Sequence, residues 1–117
     1  MTMPSGSTKA GVKFLGEQDG AAEVELKLEL RRCLEQLGVI HRAYLAVVQY
    51  GEDPQKSVAL CLVAPSGVES MVVPKVGAVF SRMFGPSQYI DIVFVNESQE
   101  ARLLCVCRPL FTQVQQK

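Results

Sequence analysis

Two stretches of the chain carry apolar residues at the three- and four-residue spacing of an amphipathic helix, and so predict two helices. The first begins near Glu23, and Gly38 is well placed to end it. The second begins between Gly67 and Val73 and is stopped by the Gly85-Pro86 pair. The apolar stripe of the first helix comprises Val24, Leu26, Leu30, Cys33, Leu34 and Leu37, and that of the second comprises Val72, Val76, Val79, Phe80 and Met83.

Four further runs are rich in Val, Ile, Ala, Tyr and Cys and predict β-strands. Turn residues at 51–54 separate the first run from the second, so these two should form an antiparallel hairpin. The segment 96–100 separates the third from the fourth and is short enough for a second hairpin loop. The four predicted strands are 39–50, 57–63, 89–95 and 101–107.

The order of elements, one helix followed by two strands and then the same again, predicts a single α+β domain with α-β-β-α-β-β order. A chain of 117 residues is long enough for one core. Two hairpins joined through a helix indicate a four-stranded, mainly antiparallel sheet with the two helices on one face. We expect the domain to span residues 12–111, between a flexible tail at 1–11 and a C-terminal tail at 112–117.

The composition is that of an ordinary soluble globular protein, with 48% hydrophobic and 21% charged residues. Lys and Arg total 12 and Asp and Glu total 12, so no net charge attracts nucleic acid or anionic lipid. The N-terminal residues lack the apolar stretch of a secretory signal, and no run is long enough to span a membrane. We therefore predict a cytoplasmic protein that binds neither nucleic acid nor membranes.

The sequence carries no recognisable catalytic or metal-binding constellation. It has one His, and neither a Gly-rich phosphate loop nor a G-x-S-x-G nucleophile elbow. The four cysteines lie within helix or strand patterns, which is typical of reduced core residues. Cys105 and Cys107 would share one strand face about 7 Å apart, too far for a disulfide. We predict no catalytic residue, no metal site and no cofactor.

Four segments resemble the C-terminal domain of the bacterial enhanced-serine-sensitivity protein B family: 43–46, 58–63, 89–95 and 108–111. The resemblance covers residues 20–111 and implies a cytoplasmic bacterial protein without established catalytic residues, linked by the family's name to serine tolerance. The first domain typical of that family is not in this chain, so roles that need both domains are not implied. The positions that carry the fold resemblance are Ala43, Tyr44, Leu45, Ala46, Asp91, Pro109 and Phe111.

Both faces of the first two predicted strands are apolar, so helices on one face would leave the other uncovered. We expect that second face to bind a protein partner or a second copy through Tyr44, Val48, Tyr50 and Cys61. Coverage of the face by residues 12–15 is the structural alternative. Asp91 either faces solvent on the side opposite Ile90 and Ile92 or is buried with a partner.

Three functions remain open at this point. The first is a non-catalytic protein-interaction or regulatory module, favoured by the two-faced strands. The second is a small-ligand, amino-acid-sensing domain, for which the serine connection of the resembled family is the only hint. The third is a thiol-dependent enzyme that uses Cys105, Cys107 or His41.

Overall fold

Five strands and three helices form the part of the chain that the structure, a computed structural model, describes: residues 12–17, 20–51, 56–85 and 90–113. The strands are β1 (Val12–Glu17), β2 (Arg42–Tyr50), β3 (Lys56–Val63), β4 (Asp91–Phe94) and β5 (Phe111–Thr112). The helices are α1 (Ala21–Leu37), α2 (Glu69–Phe84) and α3 (Glu97–Leu104). Their order is therefore β-α-β-β-α-β-α-β, not α-β-β-α-β-β.

The strands form one mixed sheet in the order β1-β2-β3-β4, with β5 paired to the start of β2. The predicted hairpin of β2 and β3 is confirmed, with Arg42 opposite Val63 and Gln49 opposite Lys56. β4 runs parallel to β3 because the chain crosses back through α2 before it rejoins the sheet. The prediction of a four-stranded, mainly antiparallel sheet is therefore wrong at β4 and in its strand count, whereas the α+β class holds.

α1 and α2 form where the apolar spacing predicts them. α1 buries Leu26, Leu30 and Leu34, and it ends at Gly38, whose positive φ of 72° suits glycine and whose N–H donates to the Leu34 carbonyl oxygen. α2 buries Val72, Val76 and Val79, with Pro74 inside its second turn. Both helices pack on the same face of the sheet, as expected, and close the first core.

The segment 101–107, predicted as the fourth strand, is instead mostly helical, as α3 and the turn that follows it. α3 begins with a capping box: the Asn96 side chain accepts from the Gln99 N–H at 2.8 Å, and the Gln99 side chain accepts from the Asn96 N–H at 3.0 Å. The negative charges of Glu97 and Glu100 in the first turn also interact favourably with the helix dipole and stabilise α3. These local interactions outweigh the strand-like apolar run at 103–107, so no second hairpin forms.

β1 and β5 are elements that the sequence pattern did not predict. β1 pairs antiparallel with β2 and carries a bulge between Phe14 and Gly16. β5 places Phe111 opposite Ala43 and Thr112 opposite Arg42, so the sheet extends into the segment that we assigned to the C-terminal tail. The proposed tail residues 1–11 and 114–117 lie outside the described residues.

The sheet has a core on each face because side chains alternate along its strands. The first core lies under α1 and α2 and includes Ala43 and Leu45 of β2. The second core lies on the opposite face, where Leu103 of α3 and Cys107 pack against the sheet. Its buried members are Val12, Tyr44, Ala46, Val48, Ala59, Cys61, Val93, Val95, Leu103 and Cys107.

Candidate functional site

The four residues proposed for partner binding share the second face of the sheet. Tyr44, Val48 and Cys61 are fully buried there, and Tyr50 is half-buried. The expectation that this face is uncovered is wrong at Tyr44, Val48 and Cys61, which are all fully buried in the core that α3 and Cys107 share. Residues 12–15 do not cover the face, since they extend the sheet as part of β1. The role of the four residues in binding a partner stays a prediction.

Glu100 holds α3 to the sheet through a buried carboxylate. Arg42 donates from Nε to Oε2 at 2.5 Å and from Nη2 to Oε1 at 2.9 Å, a bidentate fork. The Tyr44 hydroxyl donates to Oε2 at 2.5 Å. The hydrogen bonds from Arg42 lower the pKa of Glu100 and outweigh the opposing effect of burial. The carboxylate is therefore charged, and it fixes α3 over the β2 end that begins with Arg42.

Cys107 contacts β2 at a position where neither β1 nor β5 pairs with it. On this side of β2, β1 pairs with residues 46–50 and β5 with residues 42–43, so Leu45 lies between the two strands. The Cys107 thiol donates to the Leu45 carbonyl oxygen at 3.5 Å. Burial raises the pKa of Cys107 to about 11 and that of Cys61 to about 12, so both remain thiols at neutral pH. Both cysteines pack in the second core.

Glu17 ties three segments together near the end of β1. Its carboxylate accepts from Lys27 Nζ of α1 at 2.7 Å. It also accepts from the Arg108 N–H at 3.4 Å and from Arg108 Nε at 3.5 Å. The hydrogen bond from Lys27 is the largest influence on the pKa of Glu17, which is lowered. The segment that follows α3 is thus joined to β1 and α1.

The end of the second face that carries Tyr50 differs from the end under α3. Tyr50 lies six residues, about 20 Å, along β2 from Tyr44, whereas the eight residues of α3 extend about 12 Å. Phe14, Tyr50, Ser57 and Asp91, from four different strands, are all half-buried here. No described helix is bonded to this end of the face. We call these four residues the open corner.

Tyr50 and Asp91 form the polar centre of the open corner. The Tyr50 hydroxyl donates to Asp91 Oδ2 at 3.1 Å, which joins β2 to β4 across β3. Burial is the main cause of a raised pKa of Tyr50, and the charge of Asp91 adds to it. Asp91 thus lies opposite Ile90 and Ile92 of the first core, as expected, but it is half-buried with a tyrosine partner, not simply solvated.

Other sequence candidates lie apart from this corner. His41 is exposed immediately before β2, and Cys105 is exposed in the turn after α3. Among residues 12–17, 20–51, 56–85 and 90–113, no three His, Cys, Asp or Glu side chains are grouped so that they could hold a metal ion. None of the described helices is both long and apolar enough to cross a membrane.

Sequence reasoning missed Arg42 and Glu100, which form a bidentate ion pair on the second face. The Asn96 to Gln99 spacing was the available signal for α3, since it matches a capping box and would have placed Glu100 in a first helical turn. Nothing local to Arg42 indicated its partner, which is 58 positions away.

Fold and site together define a small α+β domain, with a mixed sheet covered by two helices on one face and by one on the other. The family model described as the SseB protein C-terminal domain matches residues 18–113. The chain therefore belongs to this family, which confirms the resemblance, and β1 precedes the matched region. No curated protein and no solved structure gives a significant match.

Proposed function

We propose that this domain is a non-catalytic protein-interaction or regulatory module of the bacterial cytoplasm. Its docking surface is the open corner, which binds a protein partner or a second copy of the chain. The observation that carries the proposal is the half-buried aromatic pair Phe14 and Tyr50, at the end of the sheet face away from the contact between Arg42 and Glu100.

The chemistry of the open corner suits a protein interface. Tyrosine offers a large rigid surface with a polar end, and such residues are frequent at the centres of interfaces. The Tyr50 hydroxyl is already held by Asp91, so the ring is oriented before a partner arrives. Val12 and Val48 are buried on the same sheet face and pack in one cluster with Phe14 and Tyr50. Docking therefore requires little rearrangement of the sheet.

A binding role is also favoured over catalysis by the state of the thiols. Burial raises the pKa of Cys33, Cys61 and Cys107, which disfavours the nucleophilic thiolate. The equal numbers of acidic and basic residues favour neither nucleic acid nor membrane as the partner. In this proposal the domain needs no cofactor, and the serine tolerance implied by the family resemblance is the process in which its partner acts.

Affinity co-purification from the native cytoplasm, with mass spectrometry of the bound proteins, tests the proposal. Tyr50→Lys removes the aromatic ring but leaves a donor beside Asp91. Leu104→Lys is the matched control, since Leu104 is 54% exposed at the end of α3 and the charge change is the same. We expect a stoichiometric partner or a self-complex with the unmodified chain and with Leu104→Lys, but not with Tyr50→Lys.

A folded monomer that retains nothing would contradict the proposal, as would equal loss with both variants. Circular dichroism of each variant establishes that it is folded before binding is compared. If the chain is monomeric and its melting temperature rises with added serine, the small-ligand alternative replaces the interaction module.

A further inference from the structure

We propose that the groove between the outer sides of α1 and α2 binds an acidic peptide segment of a protein partner. This surface lies on the helical layer, on the other side of the sheet from the open corner. The inference goes beyond the proposed function, because it assigns a second surface with its own chemistry.

The groove is lined by both apolar and charged side chains. Its volume is about 380 Å³, and it runs along two turns of each helix, from Glu29 on α1 and from Lys75 on α2. Cys33 and Ala78 are among the residues that line it between the charges. Two helical turns measure about 11 Å, which is enough for several residues of a bound peptide.

Three cations and one anion border the groove, although the whole chain has no net charge. Arg32 Nη1 donates to Glu29 Oε2 at 2.9 Å, and Arg82 Nη2 donates to Glu29 Oε1 at 3.3 Å. One carboxylate thus bridges two guanidinium groups from opposite sides of the groove. Lys75 has no ion pair among the described residues. The local excess of two positive charges is complementary to acidic side chains.

Glu29 shows how a carboxylate of the partner would be held. Its two oxygens occupy one donor of each arginine, and the Arg32 and Arg82 side chains remain 69% and 64% exposed. Each guanidinium therefore has donors left for a second carboxylate. Lys75 and Arg82 also act to lower the pKa of Cys33, against the larger effect of burial, so their positive potential reaches the wall of the groove.

The groove is open to solvent, which suits a bound peptide better than a small-molecule ligand. Small-ligand sites enclose most of the ligand surface, whereas this groove is open to solvent along the two helices. Met71 is exposed one helical turn before Lys75 and continues the same side of α2. An adaptable methionine at the end of a basic groove suits a segment that carries both acidic and apolar side chains.

Selection from a random 12-residue peptide library displayed on phage, followed by fluorescence anisotropy on the full chain, tests the inference. We expect the selected peptides to be rich in Asp and Glu and to bind more weakly as salt rises. Lys75→Gln with Arg82→Gln should weaken them roughly tenfold. The control pair Lys13→Gln with Lys56→Gln removes the same charge from exposed positions of β1 and β3 and should change affinity less than about twofold.

Glu29→Gln gives the inference a prediction of opposite sign. The substitution keeps the shape of the side chain but releases both arginines from a competing carboxylate, so acidic peptides should bind about threefold tighter. A merely structural role of Glu29 would give unchanged or weaker binding.

Selected peptides without acidic enrichment, or the absence of any binder, would overturn the inference. It would equally fail if both double variants lost the same affinity, or if inorganic phosphate or citrate alone bound as tightly as the peptides. Acidic peptides that depend on Tyr50 and not on Arg82 would overturn it while leaving the open corner intact. Conversely, groove binding together with no effect of Tyr50→Lys on co-purification would leave the inference standing without the proposed function.

Discussion

The carboxylate of Glu100 on α3 and the guanidinium of Arg42 on β2 form a two-pronged ion pair, with donor–acceptor distances of 2.5 and 2.9 Å between residues 58 positions apart. The Glu100 side chain is 9% exposed and that of Arg42 is 41% exposed. The pair is thus buried at its acidic end and hydrated at its basic end. This asymmetry lowers the desolvation cost of the cation while keeping the hydrogen bonds to the anion strong.

Replacement of Glu100 by alanine should destabilise the domain. Glu100→Ala removes the acceptor of three hydrogen bonds and leaves the buried Tyr44 hydroxyl unpaired, so we expect the free energy of unfolding to fall by about 3 kcal/mol. Urea denaturation measures this loss. Arg102→Ala, at an exposed position of the same helix, should cost less than about 0.5 kcal/mol, and an equal loss in the two variants would contradict the role of Glu100.

The contribution of Glu100 should depend on pH. Its pKa in the folded protein is lowered from the ordinary value of 4.5, so its stabilisation is fully present above that value and is lost as pH falls through the folded-state pKa. The stability difference between the unmodified chain and Glu100→Gln should therefore be constant near neutral pH and shrink below about pH 4.5. Urea midpoints at several pH values check this, and a difference that grows in acid would have the wrong sign.

The helices of the first core and the β2–β3 hairpin were predictable because their signals are local. A stripe such as Leu26, Leu30 and Leu34, and a turn such as 51–54, act over a few residues, whatever the rest of the chain does. β5 has only two paired residues, Phe111 and Thr112, and it is held by β2, which is distant in the sequence. No local pattern could have located it.

The error at 101–107 had a larger effect than one misassigned element. Residues 103–107 form an apolar run that resembles a strand, and this pattern concealed the capping box that begins α3. A strand at 101–107 would have required a second hairpin and an uncovered sheet face. The helix instead leaves β4 at the end of the strand order and places Leu103 in the second core. Tyr50 is therefore half-buried, whereas Tyr44 is fully buried.

The cysteines should differ sharply in their reaction with a soluble disulfide reagent such as Ellman's reagent at pH 8. Cys105 is exposed and should react fast, whereas Cys61 and Cys107 are buried, with pKa values raised to about 12 and 11, and should react only on unfolding. Absorbance of the thiolate that the reagent releases follows the reaction. Cys105→Ser should abolish the fast phase and leave the slower reaction of half-buried Cys33, whose pKa burial raises. A phase as fast as that of Cys105 that persisted in this variant would revive the thiol-enzyme alternative.

Removal of the side-chain hydroxyl should lower the stability of the domain more at Tyr44 than at Tyr50, the two tyrosines of β2. Tyr44→Phe deprives the buried Glu100 carboxylate of one donor, so we expect a loss of about 1.5 kcal/mol. Tyr50→Phe deprives the half-buried Asp91 of its donor, but water can replace that donor at the open corner, so we expect a loss of no more than about 0.5 kcal/mol. Chemical denaturation of the two variants measures both values. The order of the two losses would be reversed if Asp91, and not Glu100, were the carboxylate sealed from solvent.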